Sequence, residues 1–335
     1  MHNQFKYIDD FSKHNENTEL DRHKIQWLKV FKVSAKTESK IIGELTDKAK
    51  NELYNVYFFN DNNINYTLKR NIDKNIPILR YGAGNANISL FISKMGLSPE
   101  CLYNKPDYVK ISGDKARWHM LFNDKPYIPK TVFTKKEALS ELTFPIVAKP
   151  SAGHSGIGIV KFSDDDSLKN STSSYDLYSE WVKSVGEFRA LFVKDNLCLL
   201  YERIPRIDMN KTVETKKKNE EVQFIYIEQD MKKFPLLQQI KDICIDMRKL
   251  LPLDVFSLDF LVDKNDKIWI LENNSNSGLA AMSLAALYVG IYRDFYRMDP
   301  PKQKMEIVDD IITKYREEIK KMYPGEYAKS KYKIE

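Results

Sequence analysis

Val255-Phe-Ser-Leu-Asp259-Phe-Leu-Val262, the polar run Asp263-Lys-Asn-Asp-Lys267, and Ile268-Trp-Ile-Leu-Glu272-Asn-Asn274 follow one another without a break. The outer runs are rich in β-branched and aromatic residues and the centre is polar, which predicts a β-hairpin. With the turn centred on Asn265 and Asp266, Asp259 falls opposite Glu272. Asn274 shares the face of Glu272, because strand side chains alternate with period two. Facing residues have Cβ atoms about 4.5–5.5 Å apart, and like charges placed there repel. A divalent cation held between the carboxylates removes that penalty. Two carboxylates and an amide oxygen, with positions left for phosphate oxygens, suit Mg2+. Asp259, Glu272 and Asn274 are therefore candidate metal ligands. A plainer alternative stands beside this one: the acids face solvent while the apolar residues pack behind them.

The second informative stretch is Phe144-Pro-Ile-Val-Ala-Lys149-Pro-Ser151-Ala-Gly153-His154-Ser155-Gly156-Ile-Gly158-Ile-Val-Lys-Phe162. Glycines and serines separate two short apolar strands. Glycine lets backbone N–H groups come close to an anion, and successive N–H groups form an anion nest. Lys149 ends the incoming strand, within reach of a phosphate. A nucleotide-binding P-loop ends in Gly-Lys-Ser/Thr and opens a helix; here a strand follows, so neither that motif nor a dinucleotide fingerprint applies. An ordinary hairpin loop is the alternative.

At 335 residues the chain is long enough for two or three lobes with cores of their own. Its hydrophobic content of 42% and charged content of 30% are those of an ordinary globular protein. A net charge of +6 does not point to nucleic acid and fits acidic small-molecule or nucleotide ligands. Cys101, Cys198 and Cys244 are odd in number and far apart, so a disulfide framework or zinc site is not expected and a reducing cytoplasm is. No basic segment followed by an apolar run opens the chain, so no signal peptide is read. The longest apolar stretch, 278–291, is too short to span a bilayer.

Along the chain, 35–54 reads as a helix, 55–60 and 76–80 as strands, and 88–95 as a helix, an alternation typical of an α/β lobe. Asp114 to Phe122 has helical spacing, and Thr134 caps a short helix over 135–141. Strands are expected at 144–149, 158–162 and 177–182, and a polar loop at 163–174. Residues 187–193 and 197–202 form a further hairpin, 210–221 a mobile charged insert, and 234–250, 279–296 and 304–322 closing helices.

Taken in order, these residues resemble the ATP-grasp carboxylate–amine ligases. Asp114-Lys115 with the following helix, then Ile128-Pro-Lys-Thr131, looks like the opening of that family's ATP-binding unit. Lys149 to Gly158 is similar to its phosphate-covering loop, and Tyr178-Ser-Glu180-Trp181-Val182 to the inter-lobe strand whose backbone meets adenine. Glu187-Phe-Arg189 stands where the ribose-binding acid and its basic neighbour stand, and Asp259, Glu272 and Asn274 match the metal triad. The ending Leu271-Glu-Asn-Asn-Ser-Asn-Ser-Gly-Leu279 looks closest to the glutamate-ligating and glutathione-synthetase-like branches. The likeness covers about 111–300; Ser257 departs from the Arg or other polar group often found before the first metal-binding Asp.

The resemblance implies an α/β protein with α+β lobes and ATP held between two of them. The expected division is an N-terminal α/β lobe at 1–110, a lid lobe with the Gly-rich loop at 111–182, a large lobe with the metal site at 183–325, and a basic tail at 326–335. The implied activity is ATP- and Mg2+-dependent (or Mn2+-dependent) joining of a carboxylate to an amine through an acyl phosphate. Lys115 and Lys149, with Ser151, Gly153, His154, Ser155, Gly156 and Gly158, would hold phosphates. Glu180, Trp181 and Val182 would frame adenine, and Glu187 would bind ribose. Arg203 and Arg189 are candidates to stabilise the acyl phosphate, with surface salt bridges as the alternative. A plain loop histidine is the preferred reading of His154, and a solvated charge run that of Lys216 to Lys218, with closure over an acidic substrate as the alternative. Arg80, Tyr81 and Asn85 are substrate-site candidates, since ligands gather beyond the carboxyl ends of strands in open α/β sheets. The partners expected are ATP and the two substrates, with no membrane and no nucleic acid, and a homo-oligomer is left open. Two other functions remain: a kinase built on the same fold, and a nucleotide-binding module without turnover.

Overall fold

The structure, a computed structural model, describes residues 21–29, 39–58, 73, 75–81, 102–151, 158–205, 221–226, 231–275 and 279–322. The first lobe contains β1 (Ile25–Lys29), α1 (Lys40–Leu53), β2 (Tyr54–Phe58), β3 (Ile78–Tyr81) and β4 (Leu102–Tyr103). Its strands lie in the order β2-β1-β3-β4, with every pairing parallel. Parallel neighbours require crossovers, and α1 makes the one from β1 to β2. Ser39 caps α1 by accepting from the Ile42 N–H. Ile42, Leu45, Ala49 and Leu53 recur at helical spacing and are buried. The helix expected at 88–95 lies outside the described residues.

Two helices lead onward. α2 (Pro106–Ser112) opens with the proline its first turn tolerates; the sequence reading missed it, starting the next unit near Ile111. α3 (Lys115–Phe122) is capped by the Asp114 carboxylate, which accepts from Ala116 and Arg117 N–H. A second four-stranded sheet then forms from β5 (Thr131–Val132), β6 (Ile146–Lys149), β7 (Val160–Phe162) and β8 (Leu177–Glu180), in the order β5-β8-β6-β7 and all antiparallel. α4 (Lys135–Glu141) carries the expected Thr134 cap, reinforced by Glu137 as a capping box. The polar loop expected at 163–174 is instead interrupted by α5 (Asp165–Asn170). Asp164 and Ser167 form a capping box, and Leu168 alone anchors the helix in the core of this sheet. One apolar residue gives no periodicity to read.

The large lobe is built on a five-stranded antiparallel sheet. Its strands are β9 (Ser184–Val193), β10 (Asn196–Pro205), β11 (Glu221–Tyr226), β12 (Val255–Asp263) and β13 (Ile268–Asn274), in the order β11-β10-β9-β12-β13. β11 was not anticipated: it begins at Glu221, the last residue of the insert expected at 210–221, and residues 206–220 lie outside the described residues. The helices are α6 (Leu237–Leu250), α7 (Ala281–Tyr296) and α8 (Lys302–Met322), close to the three expected. The sheet is two-sided by alternation. On one face, Phe188 stacks on Phe260 at 5.3 Å and Phe192 on Phe256 at 5.4 Å, beside α3 and α6. The other face carries Leu191, Val193 and Val255 at its base and, further along the same strands, Arg189 and Asp259.

One hydrophobic cluster runs from the first lobe into the large one. Ile25, Trp27, Leu45 and Leu79 belong to the same buried set as Leu191, Val255, Leu284, Ile291 and Ile311. The Tyr54 hydroxyl donates to the Leu284 carbonyl at 2.6 Å. α7 lies close enough to the sheet that a Cβ on Gly290 would stand 2.4 Å from Cys198 Sγ and 2.9 Å from Val193 Cγ2. A side chain there is excluded by contact.

Candidate active site

The β12–β13 hairpin pairs Asp259 with Glu272 and Ser257 with Asn274, with an irregularity between Asp259 and Phe260. The facing carboxylates and the amide on their face are placed as the sequence predicts. Asn274 Nδ2 donates to Glu272 Oε1 at 2.8 Å and lies 3.4 Å from Asp259 Oδ2, so three side chains converge on one point. The charge balance needs a correction. β12 has a second neighbour, β9, whose Arg189 stands opposite Asp259. Its Nε donates to Asp259 Oδ1 and its Nη2 to Oδ2, the latter at 2.6 Å. The protein itself thus supplies a cation to the carboxylate pair, and repulsion within the hairpin does not by itself require a metal. Burial works to raise the Asp259 carboxyl, but Arg189 and then Arg203 outweigh it and hold the carboxyl below its usual range. The Arg189 guanidinium is correspondingly held well above its ordinary value, Asp259 outweighing burial.

One row along the sheet, Arg203 of β10 faces Glu187 of β9. Arg203 Nη1 donates to Glu187 Oε1 at 2.9 Å and is 3.9 Å from Asp259 Oδ2. From the other side, Lys115 Nζ approaches Glu272 Oε2 at 3.9 Å. Lys149 ends β6, its ammonium pulled down by burial and by Lys115, against the attraction of Glu272. A small recess of about 70 Å3 lies between Ser112, Lys115, Trp118 and Glu272 to Asn274.

The feet of the Gly-rich loop are pinned. Ser151 Oγ donates to Asp114 Oδ1 at 2.8 Å, Ser151 N–H donates to Asp176 Oδ2 at 2.7 Å, and Lys115 N–H donates to the Ser151 carbonyl. Gly158 has φ +78° and lies against Pro150, so the returning strand needs a residue without a Cβ. Gly153, His154, Ser155 and Gly156 lie outside the described residues, as do Asn85, Lys216 to Lys218 and the tail at 326–335. Glu180 and Trp181 spend their N–H groups on the Lys130 and Pro145 carbonyls. With Val182, Pro129, Asp263 and Trp269 they line a cleft of about 380 Å3, a size that takes a small-molecule ligand. β13 joins cleft and recess: Trp269 and Glu272 are three residues apart, about 10 Å at strand rise.

Sequence reasoning missed His119 and Ser112. His119 lies four residues after Lys115, on the same face of α3, and is 2% exposed. Burial, then the charges of Lys149 and Lys115, lower its pKa to about 3, so it is neutral in the fold. Between pH 6.5 and 3 the unfolded chain binds a proton that the folded chain refuses, so stability is lost as pH falls through that window. The His119→Gln variant is expected to show a flatter loss of melting temperature between pH 6.5 and 4 than the parent; parallel curves would refute a buried neutral imidazole. Ser112 Oγ donates to the Asn273 carbonyl at 2.9 Å and accepts from Ser275 N–H, tying α2 to the end of β13.

A family model described as D-ala D-ala ligase C-terminus matches residues 115–290, which is 176 of the 335 residues. The chain belongs to this family. It is an ATP-grasp carboxylate–amine ligase of the ADP-forming kind. The sequence motifs had looked closest to the glutamate-ligating and glutathione-synthetase-like branches; the family that matches is that of the D-ala D-ala ligase C-terminus.

Solved structures agree on the fold of this ligase. D-alanine–D-alanine ligase from Bacillus anthracis superimposes with a TM-score of 0.54 at 14% identity, over 88% of this chain and 99% of that one. VanG D-Ala:D-Ser ligase from Enterococcus faecalis gives 0.53 at 14% identity, over 87% and 99%. The ATP-grasp ligase PsnB, solved with a phosphomimetic variant of its minimal precursor, Mg and ADP, gives 0.50 at 13% identity, over 87% and 99%. No curated protein sequence matches the chain. Among the described residues of the ligase, no helix is long and apolar enough to cross a membrane.

Proposed function

We propose that this ligase activates its carboxylate substrate at the meeting point of Lys115, Lys149, Arg189, Arg203, Asp259, Glu272 and Asn274, and that the cleft beside Glu180 to Val182 seats adenine. The carrying observation is that one strand, β13, connects the two places. Its Trp269 end lines the larger cleft, and its other end carries Glu272 and Asn274, on which Asp259 and Lys115 converge.

Among the described residues no cluster of three His, Cys, Asp or Glu is placed to hold a metal. The donors here would be the Asp259 and Glu272 carboxylates, which the Asn274 NH2 bridges, and the Asn274 amide oxygen once that amide turns. That set fits Mg2+, with phosphate oxygens completing the shell; Mn2+, of equal charge and similar ligand taste, fits as well. When bound, the ion neutralises charge on the transferring phosphate. Asp259, Glu272 and Asn274 would hold it. Lys149, whose ammonium lies near both Glu272 and Lys115, would hold phosphate oxygens together with Lys115 and the Gly-rich loop. Glu187 would take the ribose hydroxyls once Arg203 turns toward the acyl phosphate. Phosphoryl transfer of this kind depends on positioning and on charge stabilisation, which the two arginines provide. The amine then attacks the acyl carbon, the C–O bond to phosphate breaks, and inorganic phosphate leaves as the amide forms. The division into lobes at 1–110, 111–182 and 183–325 follows the same reading, with the lid carrying Lys149. Cys198 and Cys244 are free thiols, which supports a reducing compartment such as the cytoplasm.

The test is an ADP-release screen of pooled acids against pooled amines, with inorganic phosphate measured and products identified by mass spectrometry. Phosphate released together with an amide product is the expected result; a phosphorylated acceptor without phosphate release would make the protein a kinase. The Lys149→Ala variant is expected to bind a non-hydrolysable ATP analogue about tenfold or more weakly, the loss of one charge-assisted phosphate contact. An equal thermal shift in parent and variant would remove Lys149 from the site.

A further inference from the structure

Cationic and N–H donors of the protein occupy the oxygens assigned to the metal. Arg189 takes both oxygens of Asp259 through two parallel bonds. Glu272 receives the Asn274 amide N–H on one oxygen and faces Lys115 with the other. Asn274 therefore turns its NH2, not its carbonyl oxygen, toward both carboxylates. The pair with Arg189 is sunk in the sheet: the Arg189 side chain is 14% exposed and that of Asp259 6%. Its geometry is fixed by strand register, since Arg189 and Asp259 are direct partners on β9 and β12.

The charges around this point are unequal. Among the described residues, Lys115, Lys149, Arg189 and Arg203 give four cations against the three carboxylates of Glu187, Asp259 and Glu272. The set is already one positive charge in excess, and a bare divalent ion would raise the excess to three. The same ion arriving on ATP brings phosphate charge that more than cancels it. Phosphate oxygens also offer a guanidinium the bidentate geometry that a carboxylate does, so Arg189 can exchange Asp259 for phosphate with no loss of paired bonds. A free cation offers it no such partner.

We propose that Arg189 is the resident counter-cation of the metal site. It holds Asp259 while nucleotide is absent and makes the site admit a divalent ion only together with its nucleotide. This rests on the proposed role of Asp259, Glu272 and Asn274 as metal ligands. Arg189 is thus a positioning residue for the metal-binding acid before it meets phosphate, and the order of assembly is written into the register of β9 on β12.

The experiment is a titration with Mn2+ alone, followed by electron paramagnetic resonance of the free ion, on the full chain without nucleotide. The parent is expected to show no strong Mn2+ site, and R189Q one at least about tenfold tighter, since a like charge has been removed from a buried locus. R189K keeps the charge but loses the fork, and is expected to fall between them. Should R189Q not fold, R189K against the parent decides: tighter Mn2+ binding supports the proposal and unchanged binding overturns it. Adding a non-hydrolysable ATP analogue should create one tight Mn2+ site in the parent. If that site appears while R189Q, R189K and parent bind free Mn2+ equally, the counter-cation role is overturned and the metal-site reading survives. If no such site appears in the parent, the reading of the metal ligands falls, and the proposal with it.

Discussion

Glu272→Gln is expected to lower ADP formation by a factor of about 100 to 1,000 or more, the scale of losing one preorganised electrostatic contact to the transition state. The substitution keeps the size of the side chain and its capacity to accept from Asn274, so the hairpin register of Asp259 on Glu272 is preserved. It removes one of the two negative charges that would hold the metal and the partner that Lys115 faces at 3.9 Å. The proposed adenine and ribose contacts lie elsewhere, so nucleotide without metal should bind within a few-fold of the parent. Turnover would be read with a coupled ADP assay and affinity with a fluorescent ATP analogue. An unchanged rate would detach Glu272 from the chemistry altogether.

Phe260→Ala is expected to destabilise the protein by about 3–5 kcal/mol, the usual cost of truncating a buried phenylalanine. Phe260 is 0% exposed and stacks on Phe188 at 5.3 Å with the rings 16° apart. It also neighbours Asp259 in β12 and follows the irregularity that separates the Asp259–Glu272 pair from the rest of the ladder. Loss of the ring is therefore expected to disturb the carboxylate pair from behind. Urea denaturation measures the first effect, and the Mn2+ affinity of the nucleotide complex the second. A loss below about 1 kcal/mol, the range of a surface substitution, would contradict the packing described. Ile41→Ala, at a residue 41% exposed, is the comparison for a side chain outside the core.

The hairpin at 255–274 was legible because both periods and its turn were strong: two apolar runs, a polar centre, and acids that fall opposite each other by counting. Thr134 and the short helix after it were legible for the same local reason. Arg189 on Asp259 was not. Hairpin counting finds the partner joined by a short turn, whereas β9 reaches β12 only after some sixty intervening residues, and nothing in either strand states that register. Glu187 and Arg203 show both sides of this. They lie on the hairpin expected from strands at 187–193 and 197–202, so their pairing was within reach, yet only ligand or catalytic roles, or a surface salt bridge, were assigned to them. α5 stayed hidden because one leucine buries it, and β11 because it follows a charged run with no turn signal before it. His119 was visible in principle, one helical turn after Lys115; its burial comes from tertiary packing that helical spacing alone does not reveal.

The buried cluster that links β1, α1 and β3 to α7, α8 and the base of the large sheet also bears on how this protein can be re-engineered. A lobe joined by a polar linker can be exchanged for a homologue's to import a new substrate. Here such an exchange would cut through Leu45, Ala49, Leu284 and Ile311 and strip the Tyr54 hydroxyl from the Leu284 carbonyl. The first and large lobes must therefore be inherited together, as a single unit of recombination. The sheet from β5 to β8 closes its own small core around Val132, Ile146, Leu168 and Tyr178, so a chimera cut at this segment leaves the larger cluster closed.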